Sequence, residues 1–208
     1  MTTTFDCETA QVATKRRLPI QIANEAKMVR ATIVLLEDYD VDQITSRMIA
    51  DASETATNYI ARYFGGRDGL LAATADELGQ RIAAQVDEFT TRPDAVDPGE
   101  FLAHAVAIPE VVLWFKVFRH LAGRNVPSSA HPGGKPALIA ACDAAIGHIF
   151  RIEGEDVALW SNVFVTYMMG NMAFGALLGT SDQEGDRTVA MLATVVETLR
   201  DRRISIVP

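Results

Sequence analysis

Among the polar and cationic side chains between residues 45 and 67, eight stand out: Thr45, Arg47, Thr57, Asn58, Tyr59, Arg62, Tyr63 and Arg67. Their chemistry is that of recognition. An asparagine pairs with adenine, an arginine with guanine or phosphate, and a threonine with a base or a phosphate. Arg67 stands at the expected start of a helix, where its charge and the free backbone N–H groups both attract phosphate. Catalytic patterns are missing from the rest of the chain. His104, His120, His131 and His148 show no metal-ligand spacing. The sequence has no GxSxG, no P-loop and no GxGxxG leading into a suitable helix. Glu153 and Glu155 lie in polar loop sequence and read as solvated charges. Cys7 and Cys142 are the only cysteines and form no CxxC pair, so no metal, cofactor or disulfide framework is implied. We expect a non-enzyme in a reduced, cytoplasmic setting, since no secretory h-region is apparent.

These side chains need short helices to hold them. Thr45 or Ser46 suits the cap of a helix carrying Met48, Ile49 and Ala52. A further helix is predicted over about 56–64, closed by Gly65-Gly66, with a long one from Asp68 to about Phe89. Ahead of them, Ala26, Val29, Ile33 and Leu36 form the apolar stripe of a helix from about Asn24, its expected cap, to Glu37. Helix, tight turn, helix is how a small domain lays its second helix in the major groove, reading bases from near that helix's N-terminus. Thr57, Asn58 and Tyr59 occupy that position. Residues 1–20 are polar, carry Lys15-Arg16-Arg17 and are expected to be a flexible arm, either a solvated tail or a minor-groove contact. Charge argues the other way. The chain carries a net −8; residues 1–70 hold 8 Lys/Arg and 10 Asp/Glu, giving 8 − 10 = −2, and residues 71–208 give 11 − 17 = −6. DNA binding therefore requires local clustering of the basic residues on one face.

The segment Thr45-Ser46-Arg47-Met48-Ile49-Ala50 resembles the second helix of the TetR family of transcriptional regulators. Ile60-Ala61-Arg62-Tyr63-Phe64 followed by Gly66-Arg67-Asp68-Gly69-Leu70-Leu71 resembles the end of that family's recognition helix and the start of its linking helix. The match runs from about Val29 to Leu78. It implies that Thr57, Asn58 and Tyr59 face the groove, that Arg67 binds backbone phosphate, that Phe64 packs in the core, and that the protein is a homodimer on double-stranded DNA. Two positions depart from the family pattern. Glu54 stands where the turn usually carries glycine, and Ala61 where the family often has tyrosine.

Beyond the fourth helix, Thr91–Gly99 and Gly123–Gly134 read as proline-containing loops. Helices are predicted over 101–107, 110–122, 136–152, 155–178 and 184–203, with Pro109 as a break and Pro136 in a first turn. No charge falls between Asp156 and Asp182, but Asn162 and Asn171 interrupt the stretch and its immediate flanks are acidic, so a buried helix is expected and a membrane span is not. Gly175 and Gly179, and the stripe Val189, Leu192, Ala193, Val196 and Leu199, suggest dimerisation through the last two helices. Phe101, His104, Trp114, Phe115, Phe118, Trp160, Phe164, Tyr167, Met168, Asn171 and Met172 are the candidates for a pocket taking a small apolar or aromatic effector, oriented by His104, Asn162, Tyr167 or Asn171. Most of them serve equally well as plain core.

The expected architecture is all-α with about nine helices: an arm (1–20), a three-helix bundle with a helix-turn-helix (21–67), and a larger helical ligand-binding and dimerisation domain (68–208). The expected function is a ligand-responsive transcriptional regulator, a repressor before an activator, acting as a homodimer on a palindromic operator and released by a small, largely apolar ligand. The alternative is a helical ligand-binding or scaffold protein with a degenerate DNA-binding unit.

Overall fold

The computed structural model describes residues 18–91, 97–124 and 137–178, with seven further residues between 187 and 198. For 98, 99, 102, 106 and 171–178 it describes the backbone alone. The described residues are helical throughout: α1 (Pro19–Asp38), a 3-10 turn (Val41–Gln43), α2 (Ser46–Ser53), α3 (Asn58–Phe64), α4 (Arg67–Thr90), α5 (Pro98–Ala107), α6 (Pro109–Gly123), α7 (Ala137–Phe150) and α8 (Glu155–Leu178). The architecture is all-α, as expected. The final expected helix falls largely outside the described residues; those described between 187 and 198 are helical. Residues 1–17, Pro136 and the stripe from Val189 to Leu199 also lie outside them.

Proline starts three of the helices. Pro19, Pro98 and Pro109 each stand in the first turn of α1, α5 and α6, where the missing N–H costs nothing and the fixed φ suits the helix. This corrects three boundaries. Helix α1 starts at Pro19, so Asn24 lies inside it and caps nothing; α5 starts at Pro98 within the expected loop; and Pro109 opens α6 rather than merely ending α5. Thr45 is the cap of α2, its hydroxyl accepting from the Met48 N–H at 3.2 Å. Helix α3 starts at Asn58 rather than Ala56 and ends at Gly65, which adopts φ 74°.

Gly69 permits the corner between α3 and α4. A Cβ there would lie 1.8 Å from the Phe64 carbonyl oxygen. Only glycine lets the first turn of α4 press against the end of α3.

Two hydrophobic cores result. In the first, Met28, Leu36, Ile44, Ile49, Ile60, Leu70, Leu71 and Leu78 join α1, α2, α3 and the start of α4, and α6 adds Val117 and Leu121. Phe64 packs on this core half-buried. Each of the large aliphatic side chains contributes about 1.5–3 kcal/mol by leaving water. The buried hydroxyls of Thr32 and Thr74 are satisfied by the carbonyls of Met28 and Leu70, both at 2.8 Å. The second core gathers Ile82, Val86 and Phe89 of α4 with Phe101, Ile108 and the buried face of α7 from Leu138 to Phe150. Helices α4 and α6 run through both cores. None of the described helices is long and apolar enough to cross a membrane.

Candidate nucleic-acid interface and ligand cavity

The turn between α2 and α3 rests on an unusual residue. Glu54 ends α2 with φ 54° and ψ 41°, its N–H reaching the carbonyls of Ala50 and Asp51. A left-handed backbone at a residue with a Cβ costs roughly 1–2 kcal/mol. That accounts for the glycine expected here from the resemblance. The Ser53 and Thr55 hydroxyls bond each other across the turn at 2.7 Å.

Helix α3 is anchored by one face. Ile60 is buried in the first core, while Tyr59 and Tyr63 are half-buried and stack at 5.1 Å. The Arg62 guanidinium lies 5.9 Å from the Tyr63 ring centre. Thr57, Asn58, Ala61 and Arg62 are exposed. Their i, i+1, i+4 and i+5 spacing puts them on one outward side of the helix. Three of the expected recognition residues, Thr57, Asn58 and Arg62, thus share this short helix and its cap with the aromatic pair that braces it, and Ala61 lies among them.

The other expected contacts fall differently. Thr45 is exposed, but its hydroxyl caps α2. Arg47 pairs with Asp51 at 3.8 Å, with side chains 87% and 74% exposed. A pair so open to solvent holds Arg47 only weakly. Arg67 is half-buried and donates from Nε to the Ile44 carbonyl at 2.9 Å and from Nη2 to that of Val41. It therefore clamps the chain leading into α2 onto the start of α4. Sequence reasoning cast it as a phosphate ligand alone and had no signal for this contact, whose partners lie 23 and 26 residues away.

Behind this unit, side chains of α4 to α8 line a half-open cavity. Of the expected pocket residues, Phe101, Trp114, Phe115, Phe164 and Met168 line it. Among the described residues the others do not form its wall. Phe118 stacks against Trp114 at 4.9 Å, His104 stacks on Phe89 at 4.2 Å, and Trp160 packs on the second core. Tyr167 is half-buried and Asn162 exposed. The side chains of Asn171 and Met172 lie outside the described residues. The correction is chemical. Among the described residues the polar groups expected to orient a ligand are not on the wall, which is hydrocarbon, aromatic and sulfur-bearing.

Sequence reasoning missed Ile82 and Val86 of α4 and Leu138 and Cys142 of α7. The signal was available, since each pair is spaced four apart on one helix face. Cys142 is held as a neutral thiol. Burial, reinforced by the charge of Asp143, pushes its pKa up to about 12. Among the described residues no group of three or more His, Cys, Asp or Glu side chains is placed to hold a metal ion.

No protein-family model matches the sequence, and no curated protein sequence does. Solved structures do resemble the fold. The TetR family repressor AlkX from Dietzia sp. strain DQ12-45-1b, implicated in biodegradation of n-alkanes, is 16% identical, with 88% of this chain and 98% of that chain covered at a TM-score of 0.59. A TetR transcriptional regulator from Rhodococcus sp. RHA1 is 16% identical over 85% and 96% of the two chains, at 0.60. RolR in complex with resorcinol is 17% identical over 92% and 97%, at 0.55. The chain has the fold of the TetR family regulators.

Proposed function

We propose that this protein is a ligand-responsive, DNA-binding regulator of transcription, without catalytic activity of its own. It acts as a homodimeric repressor on a palindromic operator and is released by a small, neutral, largely apolar molecule. The observation that carries this reading is the outward face of α3. Thr57, Asn58 and Arg62 are exposed on a short helix whose opposite face is fixed in a core by Ile60. That is the arrangement with which a helix-turn-helix presents side chains to base edges.

The ligand reading rests on the cavity wall. A charged ligand there would lose its hydration without gaining a partner, whereas Met168, Met169 and the aromatic rings adapt to apolar shapes. Several proteins of this fold are described with small molecules, RolR with resorcinol and the multidrug binding protein EbrR with imidazole. Dimerisation through α8 and the helix after it follows from the apolar character of those segments and would set two copies of α3 about one DNA turn apart. Ligand acts only by binding the DNA-competent and DNA-incompetent forms with different affinity.

The test is selection of duplexes from a random-sequence pool, followed by titration of the selected duplex at several salt concentrations. Sequence-selective, salt-sensitive binding supports the reading. Binding of apolar molecules with no selected sequence would favour a helical ligand-binding protein, to which the strained carboxylate at Glu54 and the −2 charge of residues 1–70 otherwise point.

A further inference from the structure

We propose that His120 is a proton-sensitive tie between the cavity-lining helix and the helix-turn-helix unit. Its consequence for DNA rests on the function proposed above; the tie itself does not. Helix α6 has two ends with different neighbours. Val111, Trp114 and Phe115 stand in the cavity wall, while Val117 and Leu121 are buried in the first core. At that second end Lys116 donates to the Leu36 carbonyl at 3.0 Å. This satisfies an open carbonyl in the last turn of α1, where a cation is also favoured.

One turn further on, His120 wedges between two carboxylates. Its side chain is 11% exposed. Nδ1 lies 3.1 Å from Oδ1 of Asp42, in the 3-10 turn that leads into α2. Nε2 lies 3.9 Å from Oδ1 of Asp68, in the first turn of α4. The other oxygen of Asp68 accepts from Nε of Arg124 at 2.9 Å. Nε2 of His120 is buried and has no hydrogen-bond partner.

That orphaned nitrogen defines the device. A neutral imidazole has one N–H and one lone pair. With that N–H on Nδ1, beside Asp42, the Nε2 lone pair faces the Asp68 carboxylate and no bond forms there. A protonated ring donates from both nitrogens. The second proton thus converts a contact at one point into a bridge between the segments on either side of the α2–α3 unit. The charged groups facing the ring are Asp42 from the 3-10 turn and Asp68 from α4; Arg124 stands beside them on α6, Lys116 a turn earlier, and α1 presents a carbonyl. Histidine is the side chain whose ordinary titration falls between pH 5 and 8. The bridge is complete when the ring carries both protons and loses its Asp68 arm when the second is gone. Acid fixes α6 to the helix-turn-helix unit, and higher pH frees the unit to move relative to the cavity.

Hydrogen–deuterium exchange of the whole protein without DNA tests this. Protection of residues 41–46 is compared at pH 5.5 and pH 8 after correction for intrinsic exchange. In the wild type it falls about fivefold toward pH 8, the scale of a partly exposed ion pair. His120→Asn keeps a donor for Asp42 but carries no titrating proton, and its corrected protection is the same at both values. Asp68→Asn flattens the profile as well. A wild-type profile that matches the His120→Asn profile overturns the proposal, as does a pH response that survives Asp68→Asn. Because no DNA is present, either result stands whether or not the chain binds DNA.

Discussion

The two cores of this molecule are built from different materials. The first, around α1 to α3, is closely filled by Met28, Leu36, Ile44, Ile49, Ile60, Leu70, Leu71 and Leu78. The second, around α7, sets the rings of Phe89, Phe101 and Phe150 and the thiol of Cys142 among branched aliphatic side chains, and it borders a cavity. A core of branched aliphatic side chains at crystal-like density holds one geometry. A wall of thioethers and rings around a void has several packings close in energy. The contrast assigns precision to the outward face of α3 and adaptability to the cavity. Helices α4 and α6 belong to both and join them.

The substitutions that test this contrast separate the halves. The largest effect is expected at Gly69. Gly69→Ala drives a Cβ into the Phe64 carbonyl, which should cost about 3 kcal/mol or more because backbone must move. Thermal unfolding followed by exchange mass spectrometry should show α1–α3 losing protection while α7 keeps it. Equal loss in both halves would mean that the cores are not separable.

Arg67→Ala comes next. It removes the donors to the Ile44 and Val41 carbonyls, at about 1–3 kcal/mol for acceptors left without partners. Stability should fall together with DNA affinity, and the affinity loss should be similar on every duplex. A loss of affinity with unchanged stability would identify Arg67 as a phosphate ligand only.

In the second core, Cys142 gives a pH test. Its thiol is neutral in the folded protein up to about 12, against an ordinary value of 9.0. Stability from this group is therefore full below pH 9 and declines as pH rises from there toward 12. Cys142→Ala should lessen that alkaline decline in denaturant titrations. Thiol reagents at pH 8 should react slowly with the folded wild type, and rapid labelling would show that the second core opens readily.

Asn58→Ala leaves both cores intact. It should relax base preference by about 1–3 kcal/mol at one position of each half-site, read by repeating the duplex selection. The smallest effect is at the turn: Glu54→Gly relieves a left-handed residue and should stabilise by about 1 kcal/mol. Unchanged or lowered stability would show that Glu54 makes a compensating contact.

Much of the first half was legible in the sequence because its signals are local. Thr45 as a cap, Gly65 as a helix end and the apolar faces of α2 and α3 are all set within a turn or two of chain. The same holds for the start of α8 at Glu155, which is the one expected. Asn24 misled because a capping residue carries no sign that a proline further upstream has already begun the helix. The cavity was legible as to its elements and only half so in its lining. Phe101, Trp114 and Phe164 were named from residue type, yet type does not tell a wall from the layer behind it, where Phe118 and His104 lie. The contacts of Arg67, Lys116 and His120 were illegible. Each joins residues far apart in the chain, and no local pattern encodes such a meeting.

In the proposed function the exposed face of α3 reads DNA and the cavity controls it. The most direct measurement is the affinity of the wild-type protein for its selected duplex, by fluorescence anisotropy over a range of salt, with and without a neutral aromatic probe such as naphthalene. Selective binding that weakens steeply with salt, and further with the probe, is expected. Binding without sequence preference, or an affinity indifferent to a probe that demonstrably occupies the cavity, would contradict it.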